Sequence, residues 1–212
     1  ACTFTLAILW AAAAGAQNLA LNAPVIDGSG AWNTNAATVF PATAGTPDNA
    51  QGYGLVRVTD GNLTDTSQVS FWLGRQNDPT EYFVIDLGSS VNVQSLGLIN
   101  THNGSNNDRG TRDFQVRGSN SLADITGVTS SAPVILSSQL TATQGSNGDT
   151  MLFTDIFNAN NGFDTGNYQY LRFESQSGSY NANVGLNEIQ AFSTVGSANI
   201  AGGKPVVDGS GA

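Results

Sequence analysis

The chain has 212 residues and a mass of 21.9 kDa, enough for one domain that buries a full core without disulfide or metal staples. Only 11% of its residues are charged, and 16 acidic residues against 7 basic ones leave a net charge of −9, with Lys204 the only lysine. That balance excludes nucleic acid and anionic membrane surfaces as partners, because both need basic patches. Hydrophobic residues reach 40% and the remainder is rich in Gly, Asn, Ser and Thr, the composition of a turn-rich β protein.

Residues 1–17 open with an apolar run, Phe4, Leu6, Ile8, Leu9 and Trp10, followed by alanines and Ala14-Gly15-Ala16. This resembles a secretory h-region with a cleavage site before Gln17, although a starting Met and a basic flank are lacking. As a helix, 14 residues would extend about 21 Å, short of the roughly 30 Å hydrocarbon core, so no membrane span is expected. Two readings stand, a removed leader and a retained apolar segment packed against something. Both place the protein outside the cytoplasm.

Residues 18–31 (NLALNAPVIDGSGA) recur at 199–212 (NIAGGKPVVDGSGA) at a constant offset of 181, with nine of the fourteen positions identical. Between the copies the pattern has a period of two. Tyr82, Val84 and Asp86 alternate with Phe83, Ile85 and Leu87 over 81–88, and a second strand is expected over 91–99. Phe114, Val116 and Gly118 alternate with Gln115 and Arg117, and 168–173 and 188–192 supply two late strands. Joining stretches at 103–110, 144–149 and 157–167 are Gly-, Asn- and Ser-rich. The expectation is an all-β antiparallel sandwich or jelly roll over 18–198, with terminal extensions at 1–17 and 199–212.

Catalytic chemistry is poorly supplied. Cys2 is the only cysteine, which excludes an intrachain disulfide, a thiolate zinc site and a CxxC pair. His102 is the only histidine, so any histidine-dependent triad must be built on it. The three glutamates, Glu81, Glu174 and Glu188, sit in strand-like settings rather than as a converging acid pair. The chain is expected not to be an enzyme.

Asn18-Leu19-Ala20, Thr59-Asp60-Gly61-Asn62, Phe71-Trp72, Phe83-Val84-Ile85-Asp86-Leu87-Gly88, Arg112-Asp113-Phe114-Gln115-Val116-Arg117, Tyr170-Leu171-Arg172-Phe173 and Gly185-Leu186-Asn187-Glu188-Ile189 follow one another in this order. Together they resemble the discoidin, or coagulation-factor type C, domain, in its cysteine-free bacterial form. The resemblance implies a galactose-binding-like β-sandwich that binds rather than catalyses, and many such relatives bind carbohydrate. It also implies a structural calcium, for which the matching residues are Asp60, Asn62, Asp65, Thr66 and Glu188. Oxygen donors suit that ion, and Gly61 allows the sharp turn that aims several at one point. The other reading of Asp60-Gly61-Asn62 is a plain turn.

A sugar site among the loops at one end of the sandwich would draw on Trp72, Arg75, His102, Asn103, Arg109 and Tyr180. Each has a plainer reading: Trp72 as core, His102 as an ordinary loop residue, and Arg75 and Arg109 as partners of Asp78 and Asp108. Asn62 and Asn103 head N-glycosylation sequons, as chance allows among 22 asparagines. The duplicated segment adds a third theme. Its Asn199, Ile200, Pro205, Val206, Val207 and Asp208 would begin a next tandem domain, complement a neighbouring copy of the chain, or form an exposed remnant. Head-to-tail donation propagates into filaments unless a ring closes. An extracellular subunit assembling with copies of itself is therefore expected, with an extracellular glycan-binding module as the alternative.

Overall fold

Three phenylalanines from neighbouring strands stack between the sheets, Phe83 on Phe173 at 5.4 Å and Phe114 on Phe173 at 5.6 Å between centroids. Trp72 meets Phe83 and Phe173 edge-on from the facing sheet, at 5.3 and 6.5 Å. Offset and edge-to-face contacts of this kind add to the area that large rings bury. The structure, a computed structural model, describes residues 17–29, 31, 42, 53–64, 70–75, 80–101, 109–146, 149–176, 180 and 183–195.

Two antiparallel sheets enclose that stack. One joins β1 (Val25–Gly28), β3 (Tyr82–Val93), β10 (Gly166–Ser175), β5 (Asp113–Ser119) and β6 (Val134–Gln139), in that order. The other joins β2 (Trp72–Leu73), β11 (Gly185–Phe192), β4 (Ser95–Asn100) and β9 (Thr154–Asn158). A small ribbon pairs β7 (Gln144–Ser146) with β8 (Asp149–Met151). The all-β antiparallel sandwich is as expected. Among the described residues the one α-helix is α1 (Leu122–Ile125), and no helix is long and apolar enough to cross a membrane.

The alternation read in the sequence sorts side chains between two buried clusters. Phe83 and Ile85 enter the intersheet core with Val25, Leu96, Leu98, Val116 and Leu171. Tyr82 and Val84 point to the outer face, where Ile125 and Ala132 cover them. Arg172 pins that cover. It donates to the carbonyls of Ile125, Gly127 and Val128 at 3.0, 2.5 and 3.1 Å, and its guanidinium lies 3.7 Å from the Tyr82 ring centre.

Strand limits differ from expectation in several places: the expected joining stretch at 144–149 carries β7 and the start of β8, and the one at 157–167 takes in the end of β9 and the start of β10. A single strand, β3, runs through Gly88 to Val93, and the break falls at Gln94. Its pairing with β10 jumps from Asp86↔Tyr170 to Val91↔Tyr168, so residues 87–90 bulge outward, with Gly88 at φ +84. The same irregularity splits two tyrosines that strict alternation would place together. Tyr168 packs against the intersheet core and Tyr170 against the outer cluster.

Residues 18–31 open the sandwich: Asn18 bridges Phe192, and β1 pairs with β3 through Val25↔Ile85. Of the expected terminal extensions at 1–17 and 199–212, all but Gln17 lie outside the described residues. Replacing the central ring, Phe173→Ala, is expected to cost about 3–5 kcal/mol in denaturant unfolding. Val128→Ala, at a side chain 87% exposed, is expected to stay within about 0.5 kcal/mol of the parent.

Candidate functional site

The 3-10 turn Leu55–Thr59 buries Leu55 and Val58, and the chain then turns at Asp60-Gly61-Asn62. Gly61 has φ +79, a left-handed conformation that favours glycine. Opposite this turn, β11 carries a bulge. Leu186 and Ile189 both enter the intersheet core although they are three residues apart, which leaves Asn187 and Glu188 side by side on the other face. Both reach the turn: Gly61 N–H donates to the two Glu188 oxygens at 3.2 and 3.3 Å, and Asn187 Nδ2 donates to Asn62 O at 3.0 Å.

This small cluster is electrostatically unusual. Glu188 is fully buried, and burial first, then the negative charge of Asp60, pushes its carboxyl up to about 9 from an ordinary 4.5, against the pull of Gly61 N–H. Asp60 accepts from Asn62 N at 2.9 Å and faces Arg57 at 3.7 Å. Asn187 Oδ1 is buried with no hydrogen-bond partner among the described residues. A buried acceptor without a donor costs roughly 1–3 kcal/mol, so an orphaned oxygen beside a desolvated carboxyl fits an oxygen-seeking cation. The residues present fit calcium in donor chemistry. Two of its expected ligands, Asp65 and Thr66, lie outside the described residues, and no group of three or more His, Cys, Asp or Glu gathers among the described ones.

The expected sugar-site residues separate into three groups. Trp72 is fully buried within the ring stack, so it belongs to the core and offers no face to a ligand. His102 and Asn103 lie outside the described residues. Arg75, Arg109 and Tyr180 share one end of the sandwich, where three loops are tied together. Gly110 N donates to Asn183 O at 3.0 Å, Tyr180 N to Gly110 O at 2.9 Å, and Asn183 Nδ2 to Arg75 O at 3.5 Å. The Tyr180 hydroxyl is anchored on Leu140 O at 2.6 Å while 37% of the residue stays exposed.

Arg75 Nε pairs with Glu81 Oε1 at 2.8 Å, its own side chain 51% exposed and that of Glu81 fully buried. Ser29 donates to the other Glu81 oxygen. Arg75 thus has a described partner in Glu81; Asp78 and Asp108 lie outside the described residues. A groove of about 500 Å³ opens beside this pair, lined also by Tyr82, Arg172, Glu174 and Gln176. Glu174 is held by Arg172 at 2.6 Å and Arg117 at 3.1 Å. Such fixed donors and acceptors suit recognition of hydroxyl groups. Asn62 is half-buried in the turn at 60–62, while the other sequon residue, Asn103, lies outside the described residues. The expected assembly residues Asn199, Ile200, Pro205, Val206, Val207 and Asp208 also lie outside the described residues.

Two partners escaped sequence reading. Asn187 stands next to Glu188, and strict alternation would turn them to opposite faces. Glu81 is 94 residues from Ser175, whose hydroxyl receives its N–H at 2.8 Å, and nothing local marks it as buried.

No protein-family model and no curated protein matches the sequence. Solved structures do match in fold. Chitosan-binding module 1 of a chitosanase/glucanase from Paenibacillus sp. IK-5, as a selenomethionine-labelled mutant, superposes with a TM-score of 0.51 at 16% identity, covering 84% of this chain and 98% of the module. An F-lectin (fucolectin) from striped bass (Morone saxatilis) serum gives a TM-score of 0.51 at 16% identity, covering 84% of this chain and 48% of that one. The fold shared with them is an antiparallel β-sandwich of galactose-binding-like type.

The raised carboxyl has a signed consequence. Between its ordinary 4.5 and about 9, the folded protein holds a proton on Glu188 that the unfolded chain has lost, so stability falls as pH rises through that window. In chelator, the melting temperature is expected to decline from pH 5 to pH 9, and Glu188→Gln to flatten the decline.

Proposed function

We propose that this protein is an extracellular carbohydrate-binding module without catalytic activity, whose sugar site lies at the end of the sandwich carrying Arg75, Arg109 and Tyr180. The observation that carries this reading is the convergence of these three loops on a galactose-binding-like scaffold. Tyr180 offers a ring held in place through its hydroxyl, suited to stacking on sugar C–H faces. Glu81 orients the Arg75 guanidinium, which stays half-exposed and able to donate to hydroxyl oxygens. The named neighbours, a chitosan-binding module and a fucolectin, support glycan binding rather than filament assembly.

A calcium ion would be held by Asp60, Glu188 and the unpaired Asn187 Oδ1, with Asp65 and Thr66 as further donors, and would brace the 60–62 turn. It would neutralise the buried carboxylate instead of a proton, so calcium affinity is expected to rise with pH.

A glycan array that includes chitosan oligosaccharides and fucosylated glycans, followed by titration calorimetry, tests the reading. Tyr180→Ala and Arg75→Ala are each expected to weaken binding by about tenfold or more, roughly 1.4 kcal/mol, with Asn160→Ala at the opposite end neutral. Wild-type-like binding by both variants, or no glycan bound at all, sinks it. Saturating calcium is expected to raise the melting temperature of the parent by about 5–10 °C and that of Glu188→Gln by far less.

A further inference from the structure

The outer face of the five-stranded sheet carries a second groove, of about 460 Å³, which the site described above does not use. Ile26 and Leu122 give it apolar walls, Tyr170 a ring, and Asp27 and Asp86 two carboxylates. Strand pairing brings these groups together: Asp86 lies opposite Tyr170 across β3 and β10, and Asp27 opposite Val84 across β1 and β3. Leu122 joins them from α1, 49% exposed.

The same four elements line both grooves. β1 gives Ile26 and Asp27 to this one and the next two residues, Gly28 and Ser29, to the groove beside Arg75. β3 divides Asp86 from Tyr82 in the same way, β10 divides Tyr170 from Arg172 and Glu174, and the cover divides Gly127 from Val128. The grooves therefore lie end to end along the strands. Tyr170 and Glu174, four residues apart on β10, are about 13 Å from each other along the strand. Where the grooves meet, Asp27 Oδ2 accepts from Gly127 N at 2.5 Å and ties β1 to the cover, so a ligand reaching across passes over a fixed contact.

The chemistry of the outer groove selects by charge. Asp86 Oδ1 accepts from Gly88 N at 2.7 Å and Gln169 Nε2 at 3.2 Å, which orients the carboxylate and leaves Oδ2 without a hydrogen bond among the described residues. Asp27 is oriented by Gly28 N at 2.8 Å as well as by Gly127 N. No ion pair reaches either aspartate among the described residues. Hydroxyl and ammonium groups can donate to such carboxylates, and the Tyr170 ring can take the C–H face of a sugar or a cation. An acidic sugar would meet two negative charges with no cation to offset them.

We infer that the two grooves form one track for an extended chain of amino sugars, running from the Arg75 end of the sandwich to Tyr170, Asp27 and Asp86. The inference rests on the carbohydrate-binding reading above and adds the length and charge class of the ligand. Ammonium groups complement the unpaired carboxylates, which a neutral chain does not. A second point of attachment on one chain raises affinity through effective concentration, so the track reads length.

Titration calorimetry of the full chain with glucosamine oligomers from dimer to hexamer tests this, beside their N-acetylated counterparts and oligogalacturonates of the same lengths. Affinity for the glucosamine series is expected to rise about tenfold or more from dimer to hexamer, less in the N-acetylated series, with the oligogalacturonates unbound. Asp86→Asn, which keeps the side chain's size, and Leu122→Ala, at an exposed position, are expected to remove most of that gain and leave the dimer as in the parent. Thermal melts check that both fold as the parent does; Tyr170→Ala, at a partly buried ring, is the third variant. Arg75→Ala is expected to weaken every length. Equal affinity at all lengths, a length gain that survives in Asp86→Asn and Leu122→Ala, equal binding of the oligogalacturonates, or binding of other glycans without the glucosamine series overturns the inference and leaves the carbohydrate-binding reading standing. No glycan bound at all overturns that reading, and the track with it.

Discussion

The ring stack of Phe83, Phe173 and Phe114, met edge-on by Trp72, is the constraint on which the remaining geometry depends. These side chains come from β3, β10, β5 and β2, so one cluster sets the spacing of the two sheets and locks three strands of one sheet in register. With the register fixed, the strand ends carrying Arg75, Gly110 and Asn183 meet at one end of the sandwich. Recognition loops need such a rigid platform, because a loop held only by itself loses its ordering entropy on every binding event.

Bulges turn that regular scaffold into sites. Without the irregularity between Leu186 and Glu188, Asn187 would face away from Glu188, and the turn at Gly61 would meet one polar side chain in place of two. The extra residue changes the phase of the strand, so hydrophobic contact resumes at Ile189 while two polar groups share the outer face. Between β3 and β10 the same device separates Tyr168 from Tyr170 and lets both faces of the sheet bury an aromatic ring.

Buried charge is arranged by pairing. Arg172, 2% exposed, serves three carbonyls, Glu174 and the Tyr82 ring, and Glu81, fully buried, is met by Arg75 and Ser29. Such networks add little net stability compared with apolar packing, but losing one partner strands the other in a low-dielectric interior. They hold the outer cover and the Arg75 loop in defined positions. Glu188 is the contrast: its described partner is a backbone N–H, and its carboxyl is pushed toward the protonated state.

Much of this was legible in the chain itself. Alternation at 81–88 and 114–118 determined which residues face inward, because side chains on a strand have a period of two and burial follows hydrophobicity. The glycine of Asp60-Gly61-Asn62 marked the sharp turn, and the constant offset of 181 marked the repeated segment. Other features carried no local signal. β6 and β9 went unread, since Val134-Ile135-Leu136 and Ile156-Phe157 are short apolar runs without the alternation that marks a strand, and it is pairing with β5 and β4 that identifies them. Trp72 reads more readily as core than as a sugar platform, and the packing of Phe83 and Phe173 against it bears out the core reading. The union of Asn187 with Glu188, of Arg75 with Glu81, and of Asn18 with Phe192 was likewise a matter of tertiary structure. Periodicity is a property of neighbouring residues and survives in the sequence. Bulges, ion pairs and strand partners join residues distant along the chain, and only the packed sheets determine which of them meet.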